Sequence, residues 1–243
     1  MQDISLPDVT FILVRPNYLG NIGSVARVLK NFGFERLRLV APPRNYKDAE
    51  ARKMAVGAFD ILKKSEVYGS LGEALADISL AVGTTCAQQR DIVPLPLEEV
   101  IPKIRAAAGN KIAFVFGDER DGLKREELQR CHQVAMVRTV AEFPSLNVSQ
   151  AVGIFAYELA KLTAAAPQPE VPLTTGAEDD ELFNQITGLL DQVGFIRKYN
   201  REKINAELRS LYQRSHPTTR ELDLLKGAIH KIDQKLRSDV VES

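Results

Sequence analysis

Residues 15–28, "RPNYLGNIGSVARV", gather two arginines, two asparagines and two glycines in one short stretch. They follow an apolar run, "VTFILV" (9–14), and lead into an apolar helical pattern. A strand, a glycine-bearing turn and a helix form the setting of a dinucleotide fingerprint, which requires G-x-G-x-x-G. Here Gly20 and Gly23 are three apart, so the close backbone approach to a pyrophosphate is not provided. The second strand ends "LRLVAPP", without the acid that would bind a ribose. A nicotinamide cofactor is therefore excluded on two counts. Asn17 and Asn21 suit turn or cap positions. Arg27 is harder to place, because it lies between Ala26 and Val28 on an otherwise apolar helix. It must snorkel to water or meet an anion, and a guanidinium suits a phosphate.

Two further stretches carry polar groups at strand–helix junctions. In "FVFGDERDGLKREEL" (114–128), a buried strand runs into Gly117, a charged turn and a helix. In "EFPSLNVSQAV" (142–152), Ser145 or Asn147 can cap the helix that follows. Alone, each reads as an ordinary connection.

The elements that must hold these residues follow from periodicity. Short apolar runs at 9–14, 36–42, 66–70, 79–85, 111–117 and 133–138 read as strands. Helical patterns at 24–33, 49–62, 71–78, 97–109, 125–131 and 147–162 separate them. Alternation of this kind predicts an α/β domain over 1–163, a mostly parallel sheet with helices on both faces. Residues 164–181, rich in Pro, Ala and acid, read as a linker, and 182–243 as a small all-α extension. In that extension Thr218 and Glu221 form a capping box. Leu222, Leu225, Ile229, Ile232 and Leu236 step by three and four, as a coiled-coil seam does. From Leu182 to Arg237 there are eleven Lys or Arg against six Asp or Glu, an excess that suits a solvated surface or a phosphate-contacting arm. Over all 243 residues the charges balance at 32 each, which excludes no partner. The N-terminal "MQDISLPDVT" lacks the pattern of a leader, and no apolar run approaches the roughly 20 residues of a membrane span. Cys86 and Cys131 form no CxxC, and His132, His216 and His230 are not at ligand spacing. The expectation is a cytoplasmic protein with reduced thiols, no metal and no membrane partner.

Taken together, N-x-G-S-x-x-R after the first strand, F-G-x-E-R-x-G-L near residue 120 and S-L-N-V-S before the last long helix of the α/β domain resemble the three motifs of the SpoU family. That family is the ribose 2′-O-methyltransferase branch of the knotted SPOUT superfamily. The extension, with "GFIR" and "LRSLYQRSHPTTRELDLLKGAIHKI", is similar to that of the branch which methylates transfer RNA at position 32 in the anticodon loop. The resemblance implies an α/β fold with a C-terminal deep trefoil knot, and S-adenosylmethionine as methyl donor. It implies that Thr84, Thr85, Cys86, Gly117, Val137, Pro144, Ser145 and Leu146 line the cofactor pocket, largely through backbone groups. It implies Arg27 as the central catalytic residue, with Asn21, Glu119, Ser145 and Asn147 orienting it and the ribose. It also implies a homodimer in which Arg27 lies near the partner's pocket, and an anticodon stem-loop as substrate. Alternatives are another RNA target, base rather than ribose methylation, or a non-catalytic RNA-binding protein of the same fold. Asp118 and Asp121 depart from the family pattern and are expected to weaken phosphate contact locally.

Overall fold

β1 (Val9–Val14) is buried along its whole length, and its residues alternate between two cores. Phe11 and Leu13 face one layer, Ile12 and Val14 the other. A strand apolar on both faces belongs in the interior of a sheet covered on both sides. The computed structural model, which describes residues 8–86, 92–164, 174–215 and 217–241, places it there. The other strands are β2 (Arg36–Val40), β3 (Glu66–Tyr68), β4 (Leu80–Thr84), β5 (Leu95–Pro96), β6 (Ile112–Phe116) and β7 (Gln133–Met136). Their order is β3-β2-β1-β6-β4-β7-β5, with every pairing parallel. Leu13 sits opposite Leu39 on one side and Phe116 on the other.

Helices α1 (Leu19–Asn31), α2 (Ala49–Met54), α3 (Phe59–Lys64), α5 (Leu97–Ala106) and α7 (Val148–Ala160) cover the face of Phe11 and Leu13. Phe155 of α7 meets Phe114 and Phe116 edge-on, at centroid distances of 5.4 and 5.3 Å. Helices α4 (Leu71–Leu75) and α6 (Arg125–Leu128) cover the opposite face.

Three boundaries differ from the expectation. Helix α1 begins five residues before the apolar pattern does, so Gly20, Asn21 and Gly23 are helical rather than turn residues. A Cβ at Gly23 would lie 2.1 Å from the Ala51 carbonyl oxygen. This glycine serves the approach of α1 to α2, not a ligand. The helix read over 49–62 is two helices, broken at Gly57 with φ +73°. The two-residue β5 carries no periodic signal and was not expected.

The fourth difference concerns the linker. Residues 165–173 lie outside the described residues, but 174–181 are ordered onto the sheet domain. Thr174 is 1% exposed. The amides of Gly176 and Ala177 donate to the carbonyls of Ile78 and Ala76 at 2.9 and 3.0 Å. Thr175 and Glu178 form a capping box that starts α8 (Gly176–Gln192), inside a stretch whose composition suggested a linker. The box supplies a helix start that composition averages away. Helices α9 (Arg201–Ser215) and α10 (Thr219–Val241) complete the extension, and the Thr218–Glu221 box is present. Leu182, Phe183, Tyr212 and Leu222 form its core. The seam on α10 is only partly used within the chain: Leu222 is buried, whereas Leu225 and Ile232 are 41% and 54% exposed.

A buried polar cluster joins the two units. His132 Nδ1 accepts from the Ala81 amide at 2.9 Å, so its Nε2 carries the proton and faces Asp179 Oδ2 at 3.3 Å. Tyr212 donates to the other Asp179 oxygen at 2.8 Å. Burial opposes ionisation of Asp179, but the bonds from His132 and Tyr212 outweigh it and hold the carboxyl below its ordinary range.

Candidate active site

At the carboxyl ends of β4, β6 and β7 the chain opens into a cleft of about 1080 Å³. Thr84, Thr85, Cys86, Gly117, Val137, Pro144, Ser145 and Leu146 all line it, as do Asn21, Glu119 and Asn147. Three separate loops therefore converge where parallel α/β sheets bind ligands. The Thr84 hydroxyl is committed to the Val115 carbonyl at 3.0 Å. Recognition at this strand end thus falls to main-chain groups and to apolar surfaces such as Val137 and Leu146. Gly117 is required by the loop itself, since a Cβ there would lie 1.9 Å from the Gly122 carbonyl carbon.

One polar residue from each of the three motifs joins a directed chain of hydrogen bonds. The Ser149 amide donates to Asn147 Oδ1 at 2.9 Å, which makes Asn147 the N-cap of α7. Asn147 Nδ2 donates to Asn21 Oδ1 at 3.0 Å. Asn21 Nδ2 then donates to Glu119 Oε1 at 2.9 Å. A backbone N–H can only donate and a carboxylate can only accept, so both ends fix the orientation of both amides. Glu119 also accepts from the amides of Asn17 and Tyr18, at 2.9 and 3.3 Å. Helix α1 has no acid in its first turn and no side-chain cap of its own. Glu119 supplies both from a loop a hundred residues away in sequence.

An ion cluster fixes the same two loops from the other side. Arg15, whose φ of +51° is unusual for a non-glycine residue, leaves β1 and pairs with Asp118 at 3.2 Å and with Glu127. It also donates to the Gly122 carbonyl at 3.2 Å. Asp118 Oδ1 accepts the amides of Arg120 and Asp121 at 3.0 and 2.8 Å. Burial opposes its charge, but those amides and Arg15 prevail and hold its carboxyl below the ordinary range. Asp118 is thus a buried turn-former with its charge matched, not the free acid expected to repel phosphate. Asp121 remains exposed.

Arg27 is not part of this assembly within one chain. It is exposed, does not line the cleft, and makes no hydrogen bond or ion pair with the described residues. The reason is helical geometry: six residues from Asn21, it projects about 120° around α1 from it. Ser145 lines the cleft but joins no hydrogen bond of the Asn147–Asn21–Glu119 chain. Sequence reasoning missed Tyr18, Lys53, Arg120 and Phe143 in the cleft wall. Arg120 and Phe143 lie inside the quoted motifs and were within reach. Lys53 on α2 has no local signal, because α1–α2 packing brings it there.

A parallel, doubly covered sheet with a ligand cleft at its carboxyl edge defines an α/β enzyme of the kind that holds a nucleoside-bearing group against loops at the strand ends. The chain matches the SpoU rRNA Methylase family over residues 8–157, and the C-terminal domain of the tRNA methyltransferase TrmJ over 178–240. It belongs to the SpoU methylase family. It is 34% identical to the tRNA (cytidine/uridine-2′-O-)-methyltransferase TrmJ of Salmonella choleraesuis (strain SC-B67), over 95% of this chain and 98% of that protein. It is 32% identical to the protein of that name in Escherichia coli (strain K12), over 98% and 100%. The crystal structure of TrmJ from Z. mobilis ZM4 superposes with a TM-score of 0.82 at 29% identity, covering 94% of this chain and all of that one.

Proposed function

We propose that the protein is an S-adenosylmethionine-dependent tRNA cytidine/uridine 2′-O-methyltransferase acting at position 32 of the anticodon loop. The observation that carries the reading is the cleft in which all three SpoU motifs meet through the Asn147–Asn21–Glu119 chain. Near-full-length similarity to TrmJ proteins supports the substrate class.

The cleft suits the cofactor in size and donor set. At about 1080 Å³ it lies at the upper end of the range of small-molecule sites. Val137 and Leu146 offer apolar faces to a purine, and the main chain at 84–86, 117 and 144–146 offers polar groups. When bound, the cofactor supplies a methyl group made electrophilic by its sulfonium. The chain's own task is to present a ribose hydroxyl to it. A guanidinium does not readily surrender its proton. Arg27 is therefore assigned to gripping the adjacent phosphate and lowering the hydroxyl's pKa, while a phosphate oxygen or water takes the proton. Asn21, Glu119 and Asn147 fix the start of α1, and with it the register of Arg27 on that helix. Ser145 is assigned to the ribose.

The exposure of Arg27, away from its own cleft, favours a homodimer in which it reaches the partner's cleft. The trefoil knot belongs to the same proposal. After β7 the chain returns past the ends of β4 and β6 to bring Asn147 against Asn21, and the knot itself is carried over from the family resemblance. Incubation of unmodified tRNA with labelled donor, followed by mapping, tests the reading. Ribose methylation at position 32, lost in Arg27→Ala with donor binding retained, is the expected result. Full activity in Arg27→Ala would overturn the assignment of Arg27. Methyl on a base, or on no RNA, would overturn the activity.

A further inference from the structure

The turn between α8 and α9 exposes large side chains on a rigid frame. Val193, Phe195 and Tyr199 are 54%, 59% and 83% exposed within seven residues. A loose turn would fold such groups inward, but this one is fixed at several points. Gly194, with φ +72°, ends α8, and the amides of Phe195 and Ile196 both donate to the Leu190 carbonyl, at 2.9 and 3.1 Å. Asn200 Oδ1 accepts the Arg197 amide at 2.6 Å, and its Nδ2 reaches the Phe195 carbonyl at 3.4 Å. Arg201 grips both oxygens of Asp191 at 2.6 Å. Ile196, 4% exposed, anchors the centre.

The charge on this frame is positive. The Arg201–Asp191 pair cancels internally. Among the described residues the Arg197 side chain reaches only the Gly194 carbonyl, at 3.5 Å. Lys198 makes no ion pair with the described residues, and Lys203 meets Glu207 only at 3.9 Å. Exposed rings on a fixed backbone beside uncommitted cations match the requirements of unpaired RNA. Each base offers a π-face whatever its identity, and each phosphate offers a charge. At 1.5 Å per residue, the seventeen residues of α8 carry the turn about 25 Å from the Gly176 contact with the sheet domain.

We infer that the 193–200 turn is a stacking platform for unpaired RNA bases, with Phe195 and Tyr199 supplying ring faces and Arg197 and Lys198 meeting the neighbouring phosphates. The inference rests on the proposed RNA substrate and adds to it a second point of contact, distinct from the cleft. It is tested with the full chain, without donor, by anisotropy of a labelled RNA hairpin with a wide unpaired loop. A fully paired duplex of the same stem is the control. Phe195→Ala and Tyr199→Ala should each weaken hairpin binding about ten-fold and leave duplex binding within about two-fold. Tyr199→Trp should bind as wild type, and calorimetry should show donor affinity unchanged. Lys198→Gln should weaken both RNAs and reduce the salt dependence by about one charge. Unchanged hairpin affinity in both alanine variants would overturn the platform. So would equal losses on hairpin and duplex, or a change of oligomeric state in sedimentation with RNA affinity intact, which would make the turn a contact between copies. These outcomes are separable from the activity: if wild type methylates tRNA while the variants bind the hairpin normally, only the platform fails.

Discussion

Glu119 accepts three N–H groups at once, and that count is what its carboxylate form is for. A glutamine side chain in its place would present one acceptor oxygen and one NH₂, leaving an amide at the start of α1 facing another donor. Glu119→Gln is therefore expected to lower the rate of methyl transfer about a hundred-fold while donor affinity, measured by calorimetry, stays within a few-fold. Equal losses in both would mean that Glu119 shapes the cofactor cleft instead. Asn147→Asp makes the same point from the other end, since an aspartate there must turn Asn21 and aim its oxygen at Glu119. Arg15 is a different case, because its partners are acids that are otherwise buried or half-buried. Arg15→Ala should destabilise the fold by about 2 kcal/mol, the part-exposed guanidinium tempering the cost of an unmatched Asp118. In a double-mutant cycle the Arg15→Ala and Asp118→Ala changes should fall short of additivity by about 1–2 kcal/mol, read from urea unfolding. Strict additivity would show that the two do not interact.

Packing between elements sets the positions of the motifs. Helix α1 reaches the cleft at its N-terminus because Gly23 lets it lie against Ala51 of α2. Gly23→Ala must push those backbones apart, and a loss of about 1–3 kcal/mol is expected. Thermal unfolding would register it, and a Tm within a degree or so of wild type would show that the helices have slack. The docking of α8 on the sheet domain rests on Asp179, which is 2% exposed between His132 and Tyr212. Its folded pKa lies below the ordinary value. Its contribution is therefore complete above the unfolded pKa of about 4 and is lost as pH falls through the lower folded value. The fit of the extension should loosen on acidification below about pH 4, seen as faster hydrogen exchange at the Gly176 and Ala177 amides relative to the β1 amides. In Asp179→Asn the onset should lose this pH dependence. An unaltered acid profile in that variant would remove Asp179 from the account.

For the whole molecule, the placement of Arg27 makes the completeness of one chain's site testable. Arg27 points away from its own cleft, so two inactive proteins should rescue each other if it serves a partner. Mixing Arg27→Ala with a variant whose cleft is blocked, such as Leu146→Arg, should restore about a quarter of wild-type activity. Random pairing gives half heterodimers, each with one intact site of two. No recovery after subunit exchange would place Arg27's action within its own chain, or remove it from the reaction. The charge balance of the whole chain hides an uneven distribution, since residues 182–237 hold eleven Lys or Arg against six Asp or Glu.

Local patterns in the sequence determined most of the elements. β1, β2, β6 and α7 fall where apolar runs and helical periodicity place them, because burial on both faces of a sheet, or on one face of a helix, leaves a mark every few residues. The three motifs were legible only together, through the family resemblance, because each alone reads as an ordinary strand–helix connection. What the sequence could not supply was how they meet. Glu119 capping α1, Asn147 bonding Asn21, Arg15 neutralising Asp118 and Asp179 anchoring a stretch that reads as linker all join residues 47 to 126 positions apart. Such contacts have no period and no composition. They exist only because the order β1-β6-β4-β7 brings distant strand ends to one edge, so the tertiary structure alone decided which polar residues are spent on holding the loops and which are left facing the cleft.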